Sequence, residues 1–409
     1  MSTDTPVVAE QSLKTAAQDY WARVKSGDIG SLPAVLGLLV LCIVFGFMSD
    51  VFLTPGNFAN LLTQAASVIV IAMGLIFVLL LGEIDLSAGY ASGVTGAVLV
   101  ILVTNHGWPW YAAFAVSVAV GALMGYSIGF LVARIGIPSF VVTLAGFLAF
   151  QGLLLLLAGE GGTIRIDDPT VLAIQNSNMK PIISWAFFLG CAALYILSGL
   201  NRINSRRKLG LKTELKKLWA IKTGGLLLVS GLAVWALCLE RSNNPAFISL
   251  KGIPDVVPVI LFILVIGTFV LGRTAYGRHL YAVGGNAEAA RRAGINVKGI
   301  RTSVFVICSA LSAVAGLLFA SRSNSISPTT GGSSTLLYAV GAAVIGGTSL
   351  FGGKGKLRDA ILGGLVVAVI DNGMGLLGYA AGIKFIVTGL VLLVSAGVDA
   401  LSRKGASSS

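Results

Sequence analysis

Apolar residues run along this chain in blocks of nearly helical-span length, broken by short polar interruptions, from Leu32 to Leu401. A helix needs about 20 residues to cross roughly 30 Å of hydrocarbon, so the pattern predicts membrane spans and not a soluble core. The blocks fall at 33–52, 65–82, 88–104, 110–133, 138–158, 181–200, 223–240, 254–272, 302–320, 336–350, 357–376 and 383–401. Segment 336–350 is short and rich in Gly and Ala, and the pair flanking Glu83 can contain a broken helix, which sets the expected range at ten to twelve spans. The expected class is all-α, a polytopic transmembrane helix bundle. One integral domain, 33–401, follows a polar N-terminal segment, 1–32, and precedes a short tail, 402–409. The N-terminal segment lacks the basic start, apolar core and small-residue cleavage site of a secretory signal peptide.

Composition agrees: hydrophobic residues make up 56% and charged residues 11% of the chain, against roughly 25% charged in soluble domains. The charge is unevenly placed. With the N-terminus inside and twelve spans, 23 of the 29 Lys and Arg residues fall on the N-terminal side of the membrane. They cluster in 1–32, at Arg134, in 201–222, in 273–301, in 354–358 and at Arg403 and Lys404. The other side holds Arg165, Lys180, Arg241, Lys251, Arg322 and Lys384. The positive-inside rule then puts both termini in the cytoplasm. Anionic lipid headgroups account for the net charge of +12, so membrane lipid is the expected partner and nucleic acid is not. The basic insert 201–222 places Leu211, Leu215, Leu218 and Trp219 at helical spacing among lysines, which predicts an amphipathic helix on the inner membrane surface. The four cysteines lie in apolar blocks without paired spacing and read as packing residues.

Candidate chemistry is sparse. No HExxH motif occurs, and the two histidines, His106 and His279, fall in loops, which removes metalloprotease chemistry. GYSIG, 125–129, matches G-x-S-x-G but sits inside a span with no histidine at its depth, so it reads as small-residue helix packing. GGTSLFGGKGK, 346–356, fails the phosphate-loop spacing at Thr348 and Gly355. Two polar breaks remain. LLLGEIDLSAG carries Glu83, Asp85 and Ser87, and AVIDNGMGLLG carries Asp371 and Asn372. Polar groups at membrane depth are costly and usually face a cavity or a partner, so Asp85, Ser87, Asp371 and Asn372 are candidates for a path taken by a hydroxylated solute. The alternatives are that Asp85 caps the helix beginning near Ser87, and that Asp371 and Asn372 hold a neighbouring helix. The first break also echoes the later glycine stretch, as the halves of transporters often do.

The segment GGNAEAARRAGIN, 284–296, is a polar island between spans. A helix from Asn286 gathers Ala289, Ala290 and Ala293 on one small face, lets Glu288 reach Arg291 and Arg292, and ends at Gly294. Such a knob suits a groove in another protein. Glu288-Ala289-Ala290 followed by Gly294 resembles the coupling loop of bacterial ABC importer permeases, whose helix docks on an ATPase. GEIDLSAG, PSFVVTLAGFLAFQG, GRHLYAVGGNAEAARRAGI, IGGTSLFGGKG and IDNGMG extend the resemblance to monosaccharide permeases of the ribose and xylose type. Chain length, GEIDLS, the basic insert and IDNGM resemble the D-xylose branch most. The spaced I-x-L-P of the importer loop is absent after Gly294, which confines the carry-over to 286–296.

The resemblance implies a homodimer in the bacterial inner membrane that forms a sugar path. A soluble sugar-binding protein feeds it, and a separate ATPase subunit, which uses the ATP, docks at Asn286, Glu288, Ala289, Ala290, Arg291, Arg292, Ala293 and Gly294. This chain would bind no cofactor or metal. The rival is an ion-coupled secondary sugar transporter with Glu83 and Asp85 as its coupling site. A membrane enzyme lacks any nucleophile, base and orienter set.

Overall fold

The computed structural model describes residues 32–159, 162–209, 216–242 and 244–407. The expectations for 1–31 and for 210–215 of the insert lie outside them. In chain order the helices are α1 (Leu32–Met48), α2 (Pro55–Leu79), α3 (Ala88–Thr104), α4 (Trp110–Phe130), α5 (Ser139–Ala158), α6 (Pro169–Asn176), α7 (Pro181–Lys208), α8 (Lys216–Cys238), α9 (Val256–Arg273), α10 (Ala275–Gly285), α11 (Ala287–Arg292), α12 (Val297–Ser323), α13 (Ser333–Ile345), α14 (Leu357–Leu376) and α15 (Ala381–Ser407). Among the described residues, eight helices are long and apolar enough to cross a membrane, and four shorter apolar ones begin at Leu32, Ala88, Ser333 and Ala381. Each of the twelve apolar blocks in the sequence meets one of these. The all-α bundle is the architecture found.

The chain divides into two compact units, one built from 30–178 and 254–399 and the other around 179–253. In the first, α12 is the central post, packing against α2, α3 and α4. Its core includes Ile71, Met73, Leu75, Ile76, Leu80, Phe305 and Leu318, all fully buried. The α4–α12 seam is set by Gly121, Gly125 and Gly129, which face the backbone of Ser309, Phe305 and Thr302. Small residues four apart let the helices approach closely. GYSIG is therefore part of a packing face. Ser127 lies on the exposed side and donates to the Leu123 carbonyl at 2.9 Å.

The largest departure from an expected boundary is at α2. α2 begins at Pro55, ten residues before the apolar block at 65, because the Thr54 hydroxyl accepts from Asn57 N and Pro55 takes the first turn. Asn57, Asn60, Thr63 and Gln64 lower the hydropathy of a stretch that is helical all the same.

In the second unit, α7 runs on through Lys208 and α8 starts at Lys216, so the described parts of the basic insert continue two long helices. Trp219 packs against Gly199. In the loop after α8, Glu240 accepts from Ser249 Oγ at 2.7 Å and Leu250 N at 2.9 Å. These bonds, with the Ser249 hydroxyl foremost, bring its pKa down to about 2.

Candidate functional site

The polar island folds as a capped knob. The Asn286 side chain accepts from Ala289 N at 2.9 Å and starts α11. At the other end Gly294, at φ 82°, donates to Arg291 O, and Ile295 N reaches Ala290 O at 3.1 Å. That pair of bonds closes the helix in the manner of a Schellman motif and satisfies two of its terminal carbonyls. Asn296 then caps α12 by accepting from Gly299 N at 2.9 Å. Glu288 takes bonds from Arg291 at 2.8 and 2.9 Å and from Arg292 at 3.0 Å, all on the exposed surface. These two guanidiniums, Arg291 first, hold the Glu288 carboxyl below its usual range.

The small face is divided. Ala290 is 5% exposed and turned into the bundle core, whereas Ala289 and Ala293 face outward. The surface open to a partner is therefore Glu288, Ala289, Arg291, Arg292 and Ala293.

Beneath the knob, three glycine-bearing segments meet. A Cβ on Gly284 would collide with the Leu80 carbonyl oxygen, which accepts from Gly353 N at 2.8 Å. Gly352, at φ 82°, lies against Gly82 N and Gly284 O. The Tyr281 hydroxyl donates to Gly355 O at 2.7 Å, and the Tyr276 hydroxyl lies 2.8 Å from Ser303 Oγ. Burial, more than any charge, pushes both phenols up, so they stay neutral. The stretch that mimics a phosphate loop is thus a backbone support for the segment that enters the knob, and the echo between it and the first break is a physical contact. Sequence reasoning missed this joint, although the clustered glycines were its signal.

At the first polar break, Asp85 is 1% exposed, and its Oδ1 accepts from Ser87 N at 2.9 Å and from Ser87 Oγ at 2.6 Å. Ser87 is also buried and immediately precedes α3. Ile84 is held by α5, with Ser139 Oγ 3.4 Å from its N–H and Thr143 Oγ1 3.2 Å from its carbonyl. Glu83 lies 3.2 Å from Arg301. Glu83 is thus paired, whereas Asp85 is engaged through Oδ1 and its buried Oδ2 has no hydrogen-bond partner among the described residues.

The second break lies at the opposite end of α2, about 33 Å away at 1.5 Å per residue. Asn372 and Asn57 exchange reciprocal amide bonds of 2.9 Å, and Asn372 also reaches Gln64 at 3.5 Å. Asp371 is more open and lies 3.4 Å from Lys384. Next to them, Arg322 donates to Thr63 at 2.9 Å and to Asn60 at 3.4 Å. Asn57, Asn60, Thr63, Gln64 and Ser67 fall within about a third of the circumference of α2 at 100° per residue. This stripe was present in the sequence as N-x-x-N-x-x-T-Q. The structure brings Asn372 to it and leaves Asp85 and Ser87 at the other end. Among the described residues no cluster of His, Cys, Asp or Glu could hold a metal.

Residues 57–396 match a family described as the branched-chain amino acid transport system / permease component. The chain belongs to this permease family. The permease is 33% identical to the xylose transport system permease protein XylH of Escherichia coli K12, covering 99% of this chain and 100% of that one. Its identity to XylH of Haemophilus influenzae is 32%, over 93% and 99% of the two chains. With the ribose import permease protein RbsC of E. coli K12 it shares 29%, over 90% and 92%. No solved structure matches it. The permease is a multi-pass membrane protein and a transport component, not an enzyme.

Proposed function

We propose that this permease is the membrane subunit of an ATP-driven monosaccharide importer in a bacterial inner membrane, with D-xylose as its sugar. The observation that carries the reading is the knob at 286–296. It is capped at both ends, charged on its outer face and seated on the bundle through Ala290 and the Gly284–Leu80 joint. A short rigid helix seated on backbone suits the transfer of force from a docked ATPase. The xylose and ribose permeases among its relatives support the sugar. ATP is bound and hydrolysed by the partner, a soluble sugar-binding protein delivers the substrate, and two copies of this subunit form the path between them. The polar stripe on α2, with Asn372 and Asp371, is the proposed entry end of that path, because amides and a guanidinium match sugar hydroxyls. Closure of the ATPase would bias the bundle between two openings, as differential binding requires.

Two outcomes follow. Ala289→Trp places a large ring on the exposed face of α11. It should leave the melting temperature unchanged and reduce ATPase copurification about tenfold, which is about 1.4 kcal/mol of docking; wild-type copurification would remove the knob as the docking element. The placement of basic residues puts the knob and both termini in the cytoplasm. In intact cells, a membrane-impermeant thiol reagent should label Asp168→Cys and spare Arg206→Cys in a background without native cysteines. The reverse labelling would invert the topology.

A further inference from the structure

We propose that Glu83 and Arg301 form the link through which the coupling loop moves the start of α3. The proposal rests on the importer reading above and adds a route by which the knob acts on the bundle. Arg301 stands in the first turns of α12, seven residues after the glycine that ends α11, so a displacement of the knob reaches it through a short, capped connection. Glu83 stands between two fixed points. On one side Leu80 is tied by its carbonyl to Gly353, and on the other Ile84 is held by Ser139 and Thr143 of α5. The Glu83 side chain is 15% exposed and that of Arg301 37% exposed, with Nε 3.2 Å from Oε1. Among the described residues no other ion pair joins the start of α12 to the segment before α3.

The contact is a charge pair without hydrogen-bond alignment, since Arg301 Nε has no hydrogen-bond partner. A Coulombic contact of this kind falls off slowly with distance, whereas a hydrogen bond is lost steeply as its angle closes. The pair can therefore pull while its members shift.

What it pulls on matters. Two residues after Glu83, Asp85 fixes Ser87, and α3 begins at Ala88. The first turns of α3 present Gly89 and Gly93 to the backbone of Gly331 and Thr330, in the irregular stretch that leads into α13. α12 packs along α3 as well. Motion entering at Arg301 thus reaches α3, whose first turn is buried, and the short helix α13 beside it.

The test uses the complete importer, permease with ATPase and binding protein, in proteoliposomes, measuring D-xylose uptake and ATP hydrolysis together. Glu83→Gln and Arg301→Gln should keep ATPase copurification and melting temperature but lower sugar moved per ATP hydrolysed about fivefold, the low end of allosteric coupling. The exchanged pair, Glu83→Arg with Arg301→Glu, should recover most of that loss. Wild-type coupling in the single variants, or an exchanged pair no better than the singles, would overturn the link. If Glu83→Gln fails to accumulate, Arg301→Lys against Arg301→Gln decides, since the link predicts that Lys retains coupling and Gln loses it, and equal behaviour contradicts it. Wild-type uptake in the same vesicles keeps the two ideas apart. Its absence refutes the importer reading, and its presence with normally coupled variants refutes the link.

Discussion

Gly284→Ala is expected to lower the melting temperature of the permease by several degrees and to strip it of its ATPase. The added methyl meets the Leu80 carbonyl, a backbone atom that cannot rotate away and that also accepts from Gly353. Overfilling a packed site costs about 1–3 kcal/mol. Relief here requires separating α10 from the end of α2, which unseats the knob. Gly285→Ala is the internal control: nothing lies within 4 Å of its Cβ position, and it closes α10 without a positive φ. It should be neutral, because alanine suits a helix better than glycine. Thermal melting and copurification on the two variants decide the matter. A Gly284→Ala protein indistinguishable from Gly285→Ala would mean that the joint does not support the coupling loop.

Asn372→Leu should also be costly, through a different mechanism. It removes both bonds to Asn57 and leaves the buried Asn57 Oδ1 without a donor, while Asn57 Nδ2 keeps Phe52 O. Stranding a buried amide in this way costs about 1–3 kcal/mol. Replacing both asparagines by leucine should cost less than the two single changes together, since neither partner is then left unpaired. Asp371→Asn breaks only the more open pair with Lys384, worth under about 1 kcal/mol. Thermal denaturation measures these costs, and uptake per folded molecule separates structure from path. If the stripe conducts sugar, Asn372→Leu lowers uptake per folded molecule as well as stability. A destabilised protein with unchanged uptake per folded molecule would confine Asn372 to holding α2 and α14 together.

The helices were legible because most apolar blocks are long and separated by polar stretches, and α3 and α14 fall where the pattern put them. The start of α2 was not, since its polar stripe looks like a loop until Asn372 arrives from a part of the chain 315 residues away. The knob was legible in its caps: Asn286, Gly294 and the Glu288–Arg291–Arg292 set are local, and local bonds are set by spacing. Its orientation was not. Three alanines at positions 289, 290 and 293 look like one face, and the packing of Ala290 against the core splits them. The Gly284–Leu80–Gly353 joint joins three segments far apart in sequence, and clustered glycines announce a close approach without naming its partner. Glu83 marks a polar break in the sequence, but its pairing with Arg301 depends on a tertiary contact that no spacing encodes.

The central claim is that sugar crosses this permease only when an ATPase docked on residues 286–296 turns over. It is tested most directly by reconstituting the permease in vesicles with and without the ATPase and binding protein and following D-xylose entry. The account predicts uptake that needs all three proteins and ATP on the side bearing the knob, and none under a proton or sodium gradient alone. Uptake by the permease by itself, driven by such a gradient and indifferent to ATP, would contradict it.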